Sequence, residues 1–286
     1  MRIELEDILK YFPKRTPLSH KGTYGKILNI AGSKLYTGAA ILSSVSALKV
    51  GAGYVTLACP DTICAIISSF SPDITLLPLN NTNGFISASN TEIVANSAEK
   101  YDVISIGSGL SQNEDTQKFV LEFFKNIKKP CIIDADALNA ISSSEFLNLP
   151  QKSVITPHPM ELSRMLKISV EKIQEQREYY AKLASNKYNS VVVLKGHETI
   201  VTDGKRTYTN KSGNSALAKA GSGDVLTGMI AGISAQTKGE NLFECAALAV
   251  YLHGYASDIA VKETTEYGLL ASELINYIPK AIKKII

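Results

Sequence analysis

Asp224 stands between a Gly221-Ser222-Gly223 turn and an apolar segment of small residues, "VLTGMIAGISAQ". Two glycines so close let the backbone turn tightly and approach a ligand, because no Cβ stands in the way. A helix starting there would present unpaired N–H groups and the positive end of its dipole, which suits phosphate or developing negative charge. Residues 221–223 are therefore a candidate anion hole, and Asp224 a carboxylate beside it, placed to accept a proton. The spacing alone also fits a plainer role, in which Asp224 caps the helix and the glycines only turn the chain.

Five other stretches carry candidate chemistry. In "VVVLKGHETIVTDG", Gly196 would let the chain swing round a phosphate, with Lys195 and Thr199 supplying a charge and a hydroxyl beside His197 and Glu198; the GxxxxGK[ST] loop is absent. "DADALN" puts Asp134 and Asp136 just past an apolar strand, as oxygen ligands for Mg2+ or as a helix N-cap. In "TPHPMEL", His158 lies between two prolines that deny it regular pairing, so it is either a ligand contact or a surface histidine; Glu161 then opens a helix and could reach Mg2+ through water. "YTGAA" sets Ala39 and Ala40 where small side chains admit a planar ligand or serve close helix–sheet packing, and Gly107-Ser108-Gly109 repeats a glycine turn after a strand. His20 and His253 read as structural, His253 within an otherwise apolar helix.

These motifs need elements to position them. The runs "KILNIAG", "YVTLAC", "DVISIG", "CIIDAD", "SVITP", "VVVLKG" and "TIVTD" are mostly apolar on successive residues, the pattern of strands covered on both faces. Helix-period segments fall at 38–50, 114–127, 170–188, 222–235, 242–260 and 269–282. Their alternation predicts a doubly wound α/β sheet, mostly parallel, as one domain over residues 1–286. Asp203-Gly204 predicts one hairpin. In such sheets ligands bind beyond the carboxyl ends of the strands, where each motif falls.

Composition removes several function classes. The 286 residues are 45% hydrophobic and 20% charged, as in an ordinary globular chain. A formal charge of +3 is too mild to argue for nucleic acid, yet it suits an anionic small ligand. The four cysteines have no metal-type spacing, the charged N-terminus lacks a secretory core, and no run nears the ~18 apolar residues of a membrane span. A cytoplasmic protein is expected.

No serine or cysteine nucleophile arrangement and no zinc-type cluster appears in the sequence. The chemistry that fits is phosphoryl transfer to a hydroxyl, with Asp224 as base and 221–223 as anion hole. "AGSGDVLTGMIAG" resembles the late motif of ribokinase-like kinases. With "HKGTYGKILNIAGS", "IGSGL", "DADALN", "TPHPMEL" and "VVLKGHETIV" in the same order, the chain more closely resembles the ADP-dependent NAD(P)H-hydrate dehydratases, from about Ser19 to Ile278. Met160 and Ser222 depart from the usual glycine and threonine.

The resemblance implies a ribokinase-like fold and repair of NADH or NADPH hydrated at C6 (the S epimer), with ADP donating phosphate to the hydroxyl, AMP leaving, and phosphate then eliminated. It implies that Ala39, Ala40, Gly109, His158 and Asp224 line the hydrated-nucleotide site, and that residues 195–199 and Gly223 hold the adenine nucleotide. Mg2+ near the phosphates, with Glu161 as an outer partner through water, a homotetramer, and a separate epimerase complete what it implies; the chain is too short for the epimerase domain many relatives carry. An ATP-dependent ribokinase-like small-molecule kinase and a non-catalytic nucleotide-binding protein are the rival readings.

Overall fold

The computed structural model describes residues 1–144 and 149–286. Its strands are β1 (Lys26–Ile30), β2 (Tyr54–Pro60), β3 (Thr75–Leu79), β4 (Asn81–Thr82), β5 (Phe85–Ile86), β6 (Val103–Ile106), β7 (Cys131–Ile133), β8 (Ser153–Ile155), β9 (Val191–Leu194), β10 (Ile200–Thr202) and β11 (Thr207–Thr209). All but β4 and β5 join one sheet in the order β11-β10-β9-β8-β7-β6-β1-β2-β3. From β9 to β3 every pairing is parallel, while β10 runs antiparallel to both neighbours. The β10–β11 hairpin is the one expected at Asp203-Gly204.

Among the described residues the helices are α1 (Leu5–Leu9), α2 (Thr37–Lys49), α3 (Cys64–Phe70), α4 (Thr91–Ala98), α5 (Glu114–Asn126), α6 (Ala135–Ser142), α7 (Pro159–Leu166), α8 (Val170–Glu175), α9 (Arg177–Tyr188), α10 (Ser222–Gln236), α11 (Leu242–Ala260) and α12 (Ala271–Lys283). Successive strand side chains point to opposite faces, so Ile27, Val103 and Ile132 join α2, α10, α11 and α12 in one core. Leu28, Ile104 and Ile133 pack under α4–α9 on the other face. Burial on both faces explains why these strands read as unbroken apolar runs. The small residues of α10 let it press on α2: a Cβ at Gly228 would lie 2.0 Å from the Ser43 carbonyl oxygen.

Two expectations change. The segment 170–188 is two helices, because Gln176 leaves helical geometry at φ −134° and ψ 52°. Arg177 then turns its guanidinium towards the β9 end, donating to the carbonyls of Leu194 and Lys195. The strand β3 escaped the sequence reading because it is a half-exposed edge carrying Pro78, which an edge tolerates.

The chain steps from β1 to β2 and β3 on one side, then crosses to β6 on the other side of β1. The carboxyl ends of β1 and β6 flank the switch point, where this architecture places ligands.

Candidate active site

The turn before α10 meets this switch point. Gly221 adopts the left-handed region at φ 89° and forms the N-cap, which no side chain caps. The Ser222 N–H is already committed to the Lys219 carbonyl and the Val225 N–H to Gly221, whereas those of Gly223 and Asp224 have no acceptor among the described residues. Within the anion hole expected over 221–223, Ser222 does not offer its N–H, whereas Asp224, one position further on, does. Asp224 lies in the first turn of the helix without capping it, which removes the plainer of the two readings of this stretch. Burial and then the neighbouring Asp134 push its carboxyl up to about 6, against opposing pulls from Ser108 and Lys195 and a further push from Asp136. Such a carboxylate is a competent base near neutral pH. Behind the turn, the buried His253 donates from Nε2 to the Ser222 carbonyl at 3.1 Å. Burial lowers its ring to about 4, so it is neutral and structural, as expected from sequence.

Lys195, at the carboxyl end of β9, reaches back under the turn. Its Nζ donates to Asp134 Oδ1 at 2.7 Å and lies 3.8 Å from Glu161 Oε2. A Cβ at Gly223 would stand 3.5 Å from the same Nζ, so the ammonium sits directly beside the turn. Asp134 is buried and accepts also from Thr156 and Thr227, each at 2.7 Å. Burial opposes both charges, yet their partners together outweigh it, holding Asp134 below and Lys195 above their ordinary values. Asp134 occupies the N-cap position of α6 but makes no capping bond, since its oxygens face the lysine and threonines. Asp136 points elsewhere and accepts from the Ser111 N–H at 2.7 Å. The "DADALN" carboxylates are therefore neither a metal pair nor a cap.

Two cavities open on either side of the turn. The first, about 560 Å3, is lined by residues 195–199 and 212–215 with Gly223, Leu226 and His253. Thr199 Oγ1 donates to the Gly196 carbonyl and closes the 195–199 loop. The second, about 620 Å3, is lined by Tyr36, Ala39, Phe85, Gly109, Asn113, Asp136 and Asp224, among others. Gly223 faces one cavity and Asp224 the other.

A family model described as NAD(P)H-hydrate dehydratase matches residues 27–280. The chain belongs to the NAD(P)H-hydrate dehydratase family. It is 37% identical over 99% of its length to the bifunctional NAD(P)H-hydrate repair enzyme of Thermofilum pendens, covering 54% of that protein. It thus spans about half the length of the bifunctional relatives it matches, and 96% of the ADP-dependent (S)-NAD(P)H-hydrate dehydratase of Bacillus subtilis, at 34% identity over 98% of the chain. The crystal structure of the Bacillus subtilis ADP/ATP-dependent enzyme, co-crystallised with ATP and Mg2+, superimposes with a TM-score of 0.85, 32% identity and coverage of 98% and 97%. A ribokinase-like superfamily protein from Enterococcus faecalis gives 0.86 at 29% identity, covering 99% of this chain and 95% of that one. The fold is ribokinase-like.

For this dehydratase-family chain, the residues expected from sequence sort by position. Ala39, Gly109 and Asp224 meet at the second cavity, and residues 195–199 and Gly223 at the first. Ala40 instead turns inward, fully buried against Gly32. His158 caps α7 in a reciprocal box: its Nδ1 accepts from the N–H groups of Met160 and Glu161, while Glu161 Oε2 accepts from the His158 N–H. Its half-exposed ring does not line either cavity. The walls formed by Tyr36, Phe85 and Asn113, and by Ser212 and Asn214, escaped the sequence reading, because these residues come together only in the folded chain.

The residues around Glu161 do not fit direct metal coordination. The Lys195 ammonium fills the gap between Asp134 and Glu161, and burial followed by the Asp134 charge raises the Glu161 carboxyl. Among the described residues no three His, Cys, Asp or Glu side chains converge as a metal site.

The second cavity gives a direct test of its walls. Gly109 has φ +65°, and a Cβ there would lie 2.7 Å from Tyr36 Cβ and 2.8 Å from Ala39 Cβ. Gly109→Val is expected to raise KM for the ligand of this cavity at least ~10-fold, equivalent to about 1.4 kcal/mol, and to leave KM for the ligand of the first cavity unchanged. Steady-state kinetics with each ligand varied in turn checks this.

Proposed function

We propose that this chain catalyses the ADP-dependent dehydration of the S epimer of hydrated NADH and NADPH, regenerating the dihydronicotinamide with release of AMP and phosphate. One observation carries the reading: adjacent residues of one helix turn, Gly223 and Asp224, face two cavities. A phosphoryl donor in the first and an alcohol in the second would meet across that turn. The names of the full-length Bacillus subtilis relative and the bifunctional repair enzymes support the same assignment.

In this reading Asp224 takes the proton of the C6 hydroxyl as its oxygen attacks the β-phosphorus of ADP, and AMP leaves. The free N–H groups of Gly223 and Asp224 and the Lys195 ammonium hold the charge that develops on the transferring group, the kind of preorganised stabilisation that dominates many enzymic rate gains. Phosphate is a better leaving group than hydroxide, so phosphorylation makes the ring elimination accessible. Ala39 and Gly109 would seat the nicotinamide, and residues 195–199 would hold the adenine nucleotide. Mg2+ would be carried by the nucleotide phosphates, with Glu161 reached only through water. A homotetramer in the cytoplasm, working beside a separate epimerase, completes the proposal; no described helix is long and apolar enough to cross a membrane.

The test is product analysis with ADP labelled in the β-phosphate. Label is expected in inorganic phosphate, equimolar with AMP and with the dihydronicotinamide formed. Label retained in a stable organic ester would mean a small-molecule kinase and would overturn the dehydratase reading.

A further inference from the structure

The proposed reaction has two proton removals, one from the C6 hydroxyl and one from C5 of the ring. Asp224 serves the first, and its proton is then needed by the departing phosphate. A second acceptor is required while Asp224 protonates the leaving group. Among the described residues lining the second cavity, the only other carboxyl is that of Asp136. It is held firmly: Oδ2 accepts from the Ser111 N–H at 2.7 Å and Oδ1 from Asn139 Nδ2 at 3.4 Å. The backbone is strained at Ser111, which donates the shorter bond, with φ 74°, and at Ala135, the residue before Asp136, with φ 45°. Non-glycine residues in this region cost of order 1–3 kcal/mol each and persist where the surroundings impose them. Each carboxylate oxygen keeps a lone pair that these bonds do not use.

We propose that Asp136 is a second catalytic residue, the base that removes the C5 proton during elimination. The inference rests on the dehydratase reading. As the C6–O bond breaks, its electron pair goes to phosphate, which takes the proton from Asp224. The lone pair of the ring nitrogen forms a transient N1=C6 bond. Asp136 then takes the C5 proton, the C–H pair becomes the C5=C6 bond, and the nitrogen recovers its lone pair. Asp224 returns to its starting state, and Asp136 releases the one net proton of the reaction. Burial and then the Asp134 charge raise the Asp136 carboxyl, in the direction of a stronger base.

The experiment follows AMP and 340 nm absorbance together after mixing Asp136→Asn with hydrated NADH and ADP. Asparagine keeps an acceptor for the Ser111 N–H, so the loop geometry has its support. The expected result is AMP released in a burst of one per site at close to the parent rate, with NADH recovery slowed ~10²–10⁴-fold and the phosphorylated hydrate accumulating. In Asp136→Ala, added formate is expected to restore elimination at least partly. AMP and NADH formed at the parent rates, or both slowed by the same factor without formate rescue, would overturn the role. If Asp136→Asn does not fold, a primary isotope effect of C5-deuterated substrate on NADH recovery, smaller in Asp136→Glu than in the parent, would overturn it, and a larger one would support it. A parent protein that forms neither product would refute the dehydratase reading itself, so the two failures are distinguishable.

Discussion

Asp224→Asn is expected to lower turnover about 10²–10⁴-fold while both ligands still bind, since asparagine preserves the shape of the side chain but cannot accept a proton. The same substitution should stabilise the fold. The carboxyl titrates at about 6 in the protein against an ordinary 3.8, because burial and Asp134 penalise its charge. A folded-state value raised in this way means that ionisation destabilises the protein as pH rises from about 4 through 6. Asp224→Asn removes that penalty, raising stability by up to about 2 kcal/mol above pH 6, with no gain below pH 4. The gain is smaller than the full shift implies because Asp224 faces a cavity. In the parent, kcat/KM should fall tenfold per pH unit below about 6. A variant that melts higher and turns over slowly would separate catalysis from folding. Near-normal turnover with both ligands bound would remove Asp224 from the base role.

Lys195→Met is the second large effect, and it combines two losses. Asp134 is 1% exposed, and the variant leaves its charge without a cation. Breaking a buried pair by removing one partner typically costs about 3–5 kcal/mol. The turn also loses the ammonium beside Gly223, so turnover should fall about 10²–10³-fold, by analogy with removing one preorganised donor. Because Lys195 lowers the Asp224 carboxyl, its loss moves the acid limb of the pH profile upward. Adding Asp134→Asn should recover most of the stability, since the Asp134 charge is then no longer stranded, but none of the rate. Thermal melts with turnover on the two single variants and the double variant check this. Activity recovered along with stability would make Lys195 merely structural.

How legible these roles were depends on how local they are. Gly221-Ser222-Gly223-Asp224 and residues 195–199 could be read because a turn and its ligand-facing groups share a few consecutive positions. The Lys195–Asp134 pair could not. Its members lie 61 residues apart and meet only because β7, β8 and β9 are neighbours in the sheet, an order that no local spacing encodes. Ala39 and Ala40 looked equivalent, yet the helical turn sends one to the cavity and the other to the core. Glu161 looked free for a cation, but the proline-flanked His158 and its box claim the carboxylate. Continuous strands were recognisable because both faces are buried; β3, half-exposed at an edge, was not.

The central claim is that this protein restores hydrated NADH at the expense of ADP. The most direct measurement is absorbance at 340 nm after adding the protein, Mg2+ and ADP to purified hydrated NADH, with ATP and no-nucleotide controls. Recovery of the dihydronicotinamide band with ADP, matched by AMP and free phosphate, is the expected result. No recovery with either nucleotide from folded protein would contradict the account.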